Sequence, residues 1–195
     1  MALYEFCRVQ GPHVLVRPFT FADSEELAQV QQFNRHVFAP VMPLRDDSYF
    51  TKTAQAAQID LDLRQWQRDR GYAFAVLHES RLVGRVALKN VVRGAWQNAT
   101  LGYWIDSRCQ GRGLATEAVL GALMAAFEHF NLHRVQAAIM PRNLPSLAVI
   151  AKAAFYCEGE APRYLCINGT WEDHRIFSMT REAYRSPEGF FLQLG

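Results

Sequence analysis

A glycine-containing loop between an apolar strand and an apolar helix is the segment of the chain best suited to chemistry. The loop begins at Gln110, reads QGRGLATE, and follows the strand-like run LGYWI. The first N–H groups of a helix lack partners within the helix, and the helix dipole adds partial positive charge, so this junction predicts an anion site. Gly111 and Gly113 would let a diphosphate approach the backbone, although such glycines also form purely structural turns. Neither a Walker loop nor a dinucleotide motif fits, because no Gly-Lys-Ser/Thr follows and Thr116 stands at the third glycine position.

This loop resembles the coenzyme A motif of the GNAT acetyltransferase superfamily. Residues 110–115 match its pattern Q/R-x-x-G-x-G/A, between a strand and a helix as that family requires. The resemblance implies that loop amides hold the pyrophosphate of acetyl-CoA, and that the end of the preceding strand pairs with the pantetheine arm. The residues implied to bind the cofactor here are Trp104, Ile105, Gln110, Gly111, Arg112, Gly113, Leu114, Ala115 and Thr116.

A second match lies downstream of the loop and resembles the RimJ/RimL branch of that superfamily. Residues 143–146 (NLPS), 152–155 (KAAF) and 158–159 (EG) follow its run N-x-x-S, K-x-G-F and E-G, with Ala154 in place of the usual glycine. The resemblance implies that Asn143 bonds the pantetheine side of the cofactor and that Ser146 lies near its sulfur. Without the resemblance, Ser146 would be read as a serine that bonds local backbone at the start of a helix.

Further stretches are similar to RimJ-like enzymes, which acetylate the N-terminal amine of a small-subunit ribosomal protein. They are residues 15–18, 34–40, 90–94 and 164–174, and the likeness as a whole spans about residues 12–182. It implies transfer from acetyl-CoA to a protein N-terminus. Asn34, Asn90 and Asp173 are implied acceptor-side residues, and a structural hydrogen bond is the alternative for each.

The expected reaction is direct attack of a neutral amine on the thioester carbon, through a tetrahedral oxyanion. Thr100 stands where many relatives carry a glutamate base. An α-amine, with a pKa of about 7.7–8, is far more often neutral at pH 7 than a lysine with a pKa of about 10.4, so the missing carboxylate favours an α-amine acceptor. Ser146, Tyr103 and Tyr164 are the candidate catalytic residues, and half-buried sheet aromatics are the alternative reading of both tyrosines.

Two rival functions remain open from the sequence. The first is acetylation of a small amine such as an aminoglycoside or polyamine, whose cleft should be acidic, with Asp46, Asp47, Asp60 and Asp62 as the candidates to line it. The second is a coenzyme A-binding regulatory or ribosome-docking module without turnover. The intact loop and Ser146 argue against this second possibility.

The elements around these residues predict one domain of the α/β class, with α and β segments mixed (α+β), spanning residues 1–195. The GNAT resemblance implies a twisted, mostly antiparallel sheet with one splayed parallel pair and helices on both faces. Strands are expected at 14–19, 72–78, 82–90, 100–106, 133–140, 163–167 and 170–180, and helices at 24–37, 48–70, 114–130 and 144–154. Asn168-Gly169 predicts the turn of the last hairpin.

Composition excludes several other classes of function. The net charge of +2 is too small for a duplex-binding surface, so we expect no direct contact with DNA. The 4 cysteines and 6 histidines show no metal-ligand spacing, and we expect no metal. The chain shows no apolar run long enough to span a bilayer and no signal-peptide pattern, which predicts a cytoplasmic protein. Either a monomer or a homodimer is compatible with the sequence.

Overall fold

The structure, a computed structural model, describes residues 7–194 and contains a single nine-stranded sheet. The strands, in chain order, are β1 (Arg8–Gln10), β2 (Leu15–Pro18), β3 (Tyr72–His78), β4 (Arg81–Val92), β5 (Asn98–Ile105), β6 (Arg134–Ile139), β7 (Tyr156–Ile167), β8 (Thr170–Thr180) and β9 (Phe191–Gln193). Their order across the sheet is β7-β8-β6-β5-β4-β3-β2-β1-β9. The β5–β6 pair is parallel and the other described pairs are antiparallel, which confirms the predicted sheet.

Five helices accompany the sheet. They are α1 (Ser24–Phe33), α2 (Arg35–Phe38), α3 (Lys52–Gln67), α4 (Leu114–Met124) and α5 (Leu144–Lys152). The predicted helix 24–37 is interrupted at Asn34, and a 3-10 turn, Asp47–Phe50, precedes α3 where a continuous helix was expected. The predicted helix 114–130 continues past α4 as a single π turn, Ala125–His129. None of the helices within residues 7–194 has the length and apolar character needed to cross a bilayer.

The helices cover both faces of the sheet, as predicted. On β4, Val86 and Leu88 point into a core shared with α4, whereas Ala87 packs into a second core with α1 and α3. This alternation follows from the two-residue period of a strand. Residues of α4 such as Ala118 and Ala122 are fully buried in the first core, which explains why this helix is almost uniformly apolar.

The parallel strands β5 and β6 diverge after three residue pairs. Asn98, Ala99 and Thr100 pair with Arg134, Val135 and Gln136, and no pair between the two strands follows within the described chain. The remainder of β5 stays paired with β4 through Ile105. One edge of β5 therefore faces the gap between the strands with its backbone groups available to a ligand.

The last hairpin has the turn that its sequence predicts. Asn168 and Gly169 both have positive φ, 48° and 82°, between β7 and β8. Strand β7 begins at Tyr156, earlier than expected, and its register with β8 shifts between Ala161 and Leu165. The short strands β1 and β9 were not predicted.

Candidate active site

The glycine loop lies open at the N-terminus of α4. Gly111 and Gly113 have φ of 77° and 81°, and a Cβ built on either would meet nothing within 4 Å. Gly113 caps α4, whose first intrahelical bond runs from the Glu117 amide to the Gly113 carbonyl at 3.0 Å. The amides of the first turn precede that bond, and the uncrowded glycines leave the backbone accessible to an anion.

A buried network holds the turn that leads into this loop. The Asn34 amide donates to Asp106 Oδ1 at 3.1 Å, and its oxygen accepts from the Ser107 amide at 2.8 Å. Burial raises the pKa of Asp106, but hydrogen bonds from Arg108 and Asn34 outweigh it, so the pKa is lowered overall. Asn34 is itself fully buried, at 0% exposure. The structure therefore gives Asn34 a structural hydrogen bond in place of a direct acceptor contact.

Tyr103 and Ser146 meet across the gap between the splayed strands. The Tyr103 hydroxyl lies 2.7 Å from Ser146 Oγ and donates to the Ser146 carbonyl at 3.1 Å. Asn143 caps α5 by accepting from the Ser146 amide at 3.3 Å, which positions the serine. Burial raises the pKa of Tyr103 to about 12, although the bond to Ser146 opposes the change. The tyrosine is thus protonated at neutral pH and can donate a proton.

The side chains of Trp104 and Ile105 pack in the two cores, so only their backbone groups can face the gap between β5 and β6. The Trp104 ring packs in the core beneath α1 and α3, 5.4 Å from Phe38, and Ile105 packs in the core beneath α4. Their partners on β4 are Arg85 and Gly84. The opposite strand edge of these two residues is therefore the one left to face a ligand in the gap.

A cavity of about 790 Å³ opens on the α1–α3 side of the sheet, beside Tyr103. This volume lies within the range of about 300–1,000 Å³ that small-ligand sites occupy. Asn90, at the end of β4, and Asn168, at the β7–β8 turn, both border it. The loop residues 110–116 are not among its walls.

The cavity walls carry a cluster of cations that sequence reasoning missed. Arg85 binds Asp62 through two hydrogen bonds of 2.6 and 2.8 Å. Lys89 lines the cavity and is exposed, and its partial enclosure by protein, followed by the charge of Arg85, lowers its pKa. Arg85 and Lys89, four residues apart on β4 with three apolar residues between them, were the available signal in the sequence.

Tyr164 and Asp173 lie on the last hairpin, outside the cavity walls. The Tyr164 ring is 5.6 Å from the ring of His174, and Asp173 accepts a hydrogen bond from the Arg163 amide at 2.8 Å. The structure does not bring either side chain to the Tyr103–Ser146 pair. Within residues 7–194, no three potential ligands cluster as a metal site.

Comparison with known proteins identifies the family of this chain. The model of the acetyltransferase (GNAT) domain matches residues 13–156. The chain belongs to the GNAT acetyltransferase family. A relative in Bacillus subtilis, named as probable N-acetyltransferase YjcK, is 38% identical over 88% of this chain and 96% of its own.

Two further relatives of this GNAT acetyltransferase have more specific names. The [ribosomal protein uS5]-alanine N-acetyltransferase of Escherichia coli is 31% identical over 89% of this chain and 90% of its own. The structure of Mycobacterium smegmatis RimJ in complex with CoA-disulfide superposes with a TM-score of 0.85, at 30% identity, over 91% of this chain and 86% of that one.

Family membership makes this protein an acyltransferase with acetyl-CoA as its acetyl donor. The open glycine loop and the free edge of β5 suit that donor. Thr100 pairs with Lys89 and Gln136 on its two neighbouring strands and supplies no carboxylate. Among the described residues, Asp62 is the single carboxylate in the cavity walls, and it is bound to Arg85.

Proposed function

We propose that this enzyme transfers acetyl to the N-terminal α-amine of a protein, such as a ribosomal protein, in the cytoplasm. The observation that carries the proposal is the lack of a free carboxylate in the described walls of the cavity beside Tyr103. An acceptor with a pKa of about 7.7–8 needs little help to lose its proton, whereas lysine needs a base. The E. coli relative named for alanine acetylation of uS5 supports the same acceptor class.

The donor would be held at the glycine loop. Arg112, Leu114, Ala115 and Thr116 would contribute backbone amides together with Gly111 and Gly113. Gln110 begins the loop, with its own amide bonded to the Ser107 carbonyl at 3.4 Å, and the backbone of Trp104 and Ile105 would continue the site along β5. The side chain of Leu114 is buried, at 2% exposure, so this residue can offer only its amide. Asn143 sets the geometry of α5 beside the pantetheine path.

Tyr103 and Ser146 would manage the proton at the reacting end of the site. Acetyl-CoA supplies an activated acetyl thioester. The Tyr103 hydroxyl, held protonated by burial, can pass its proton through Ser146 Oγ, 2.7 Å away, to the departing sulfur, and the tyrosinate regains a proton from the acceptor nitrogen as the amide forms. Tyr164 has no part in this proposal because it lies on the hairpin.

The cavity disfavours a polyamine or aminoglycoside acceptor. Asp46, Asp47 and Asp60 do not line it, and Asp62 is bound to Arg85. A polycation would therefore meet cationic walls.

A panel of acceptors tests the proposal. The panel contains peptides with a free N-terminal alanine, the same peptides with a blocked N-terminus and an internal lysine, spermidine, and an aminoglycoside. We expect thiol release with the free-terminus peptides, and mass spectrometry should place the acetyl group on the α-amine. Turnover of the small amines without turnover of any peptide would overturn the proposal.

A further inference from the structure

The cavity beside Tyr103 is strongly cationic. Five cationic side chains and one carboxylate line it: Arg35, Arg45, Arg70, Arg85, Lys89 and Asp62. Arg85 is neutralised by Asp62, and Arg35 by Asp47 at 2.5 Å. Among residues 7–194, Arg45, Arg70 and Lys89 form no ion pair. Three positive charges thus remain for a ligand.

From this arrangement we propose that the enzyme selects protein N-termini with acidic residues directly after the acetylated α-amine. The inference rests on the proposed function, because it specifies the acceptor of the same site. Carboxylates of the acceptor would pair with Lys89, Arg45 and Arg70 while its amine faces the Tyr103–Ser146 end.

The three cations come from different walls of the cavity. The Lys89 side chain extends over the neighbouring strand β5. Its Cε lies 4.0 Å from the position that a Cβ on Gly102 would occupy. Gly102 immediately precedes Tyr103, so the end of the Lys89 side chain lies near the reacting end of the site. Arg45 belongs to the segment between α2 and α3, with its guanidinium 4.7 Å from the Tyr49 ring centroid, and Arg70 follows α3. This spread fits an extended acceptor with more than one carboxylate.

These charges are separate from the donor's diphosphate site. Residues 110–116 do not border the cavity, and Arg108 and Arg112 lie instead in a second depression near Asp106. Enclosure by protein, followed by the charge of Arg85, lowers the pKa of Lys89, so its charged form is disfavoured in the free protein. A bound carboxylate would stabilise that charged form.

The cavity also has apolar walls, among them Phe38, Met42 and Leu44. They suit the aliphatic parts of a peptide. A free acidic amino acid could pair with the cations, but it would be too small to contact all of these apolar residues.

The test compares matched peptides that differ only in charge. They begin Ala-Asp-Glu, Ala-Asn-Gln or Ala-Lys-Lys, with a common neutral remainder, and kcat/KM is measured for each with the wild type, Lys89→Met, Arg45→Gln and Arg68→Gln. Arg68→Gln is the control, since Arg68 is an exposed cation outside the cavity walls. We expect the wild type and the control to prefer the acidic over the neutral peptide by about tenfold or more, because a charge-assisted hydrogen bond contributes at least that factor.

Lys89→Met and Arg45→Gln should each reduce this preference while the KM for acetyl-CoA stays near wild type. Equal kcat/KM for acidic and neutral peptides would overturn the inference but leave the proposed function intact. A raised KM for acetyl-CoA in the variants would also overturn it, since the cations would then serve the donor. Free aspartate turned over as well as the acidic peptide would also overturn the inference, since the peptide chain would then contribute nothing to selection. Failure of all peptides, with small amines active, would instead reject the proposed function itself.

Discussion

The Tyr103 hydroxyl lies 2.7 Å from Ser146 Oγ and joins β5 to the first turn of α5 where the sheet has opened. The serine is therefore bonded to a residue 43 positions away in sequence, and its hydroxyl points into the gap between the strands. Two hydroxyl groups in contact, one of them on a phenol with a raised pKa, form a short path for one proton.

Removing either hydroxyl should slow turnover more than it weakens donor binding. General acid catalysis contributes about 10²–10⁴-fold, and we expect Tyr103→Phe and Ser146→Ala each to lower kcat by roughly 100-fold or more, because the proton path needs both hydroxyl groups. Because the pair acts as a unit, the double variant should be little slower than the slower single variant. Stopped-flow thiol release and calorimetric Kd values for acetyl-CoA provide the measurements. If the loss of kcat in the double variant equalled the product of the two single-variant losses, the two hydroxyl groups would have independent roles.

Gly113→Asp should abolish acetyl-CoA binding without unfolding the protein. The residue needs φ of 81°, and a carboxylate there would face the diphosphate at the helix start. Gly94→Asp is a matched control, with φ of 71° and open space around its Cβ, in a turn outside the loop. Both variants should lose a similar amount of stability, about 1–2 kcal/mol from the left-handed backbone. Equal acetyl-CoA affinity in both variants would contradict the assignment of the loop.

Asn34→Ala should destabilise the protein by about 1–3 kcal/mol, because it leaves buried hydrogen-bonding groups of Asp106 and Ser107 without their partner. Donor affinity should fall as well, since the Asp106–Ser107 turn leads into the glycine loop. Urea unfolding and calorimetry measure the two effects. Gln32→Ala, at an exposed position of α1, should change neither. A loss of acceptor binding alone would return Asn34 to the acceptor side.

Lys89→Met should stabilise the protein at pH 7. The folded-state pKa of Lys89 is lowered, first by its enclosure and then by Arg85, so its charged form is disfavoured in the folded state. The resulting cost is full below the folded-state pKa and disappears as pH rises to the unfolded value of about 10.4. Urea unfolding should therefore show a gain in the free energy of unfolding at pH 7 that shrinks toward pH 10. A pH-independent difference for Lys89→Met would refute the explanation.

The sequence predicted the elements that are marked by a short contiguous sequence pattern. The Asn168-Gly169 turn, the start of α4 after Gly113 and the buried strand β6 follow from turn chemistry, capping and apolar runs. Strands β1 and β9 have three residues each and exist through pairing with each other, so no local signal marks them. The π turn after α4 likewise depends on packing around Phe127 and Phe130.

In the candidate site, likewise, one part follows from a contiguous sequence pattern and the other part does not. The glycine loop is contiguous, and the sequence located it together with the helix that presents it. The cationic cavity gathers Arg45, Arg70 and Lys89 from separate elements, and their common surroundings exist only after folding. Asn34 was singled out by resemblance, but its contacts with Asp106 and Ser107, about seventy residues away in sequence, could not be read locally.

The accessible glycine loop at the start of α4 and the cavity on the α1–α3 side of the sheet are separate openings. With the donor at the first and the acceptor at the second, as proposed, each reactant can bind while the other is already bound. Initial-rate plots with both reactants varied should then show intersecting lines, as for catalysis within a ternary complex.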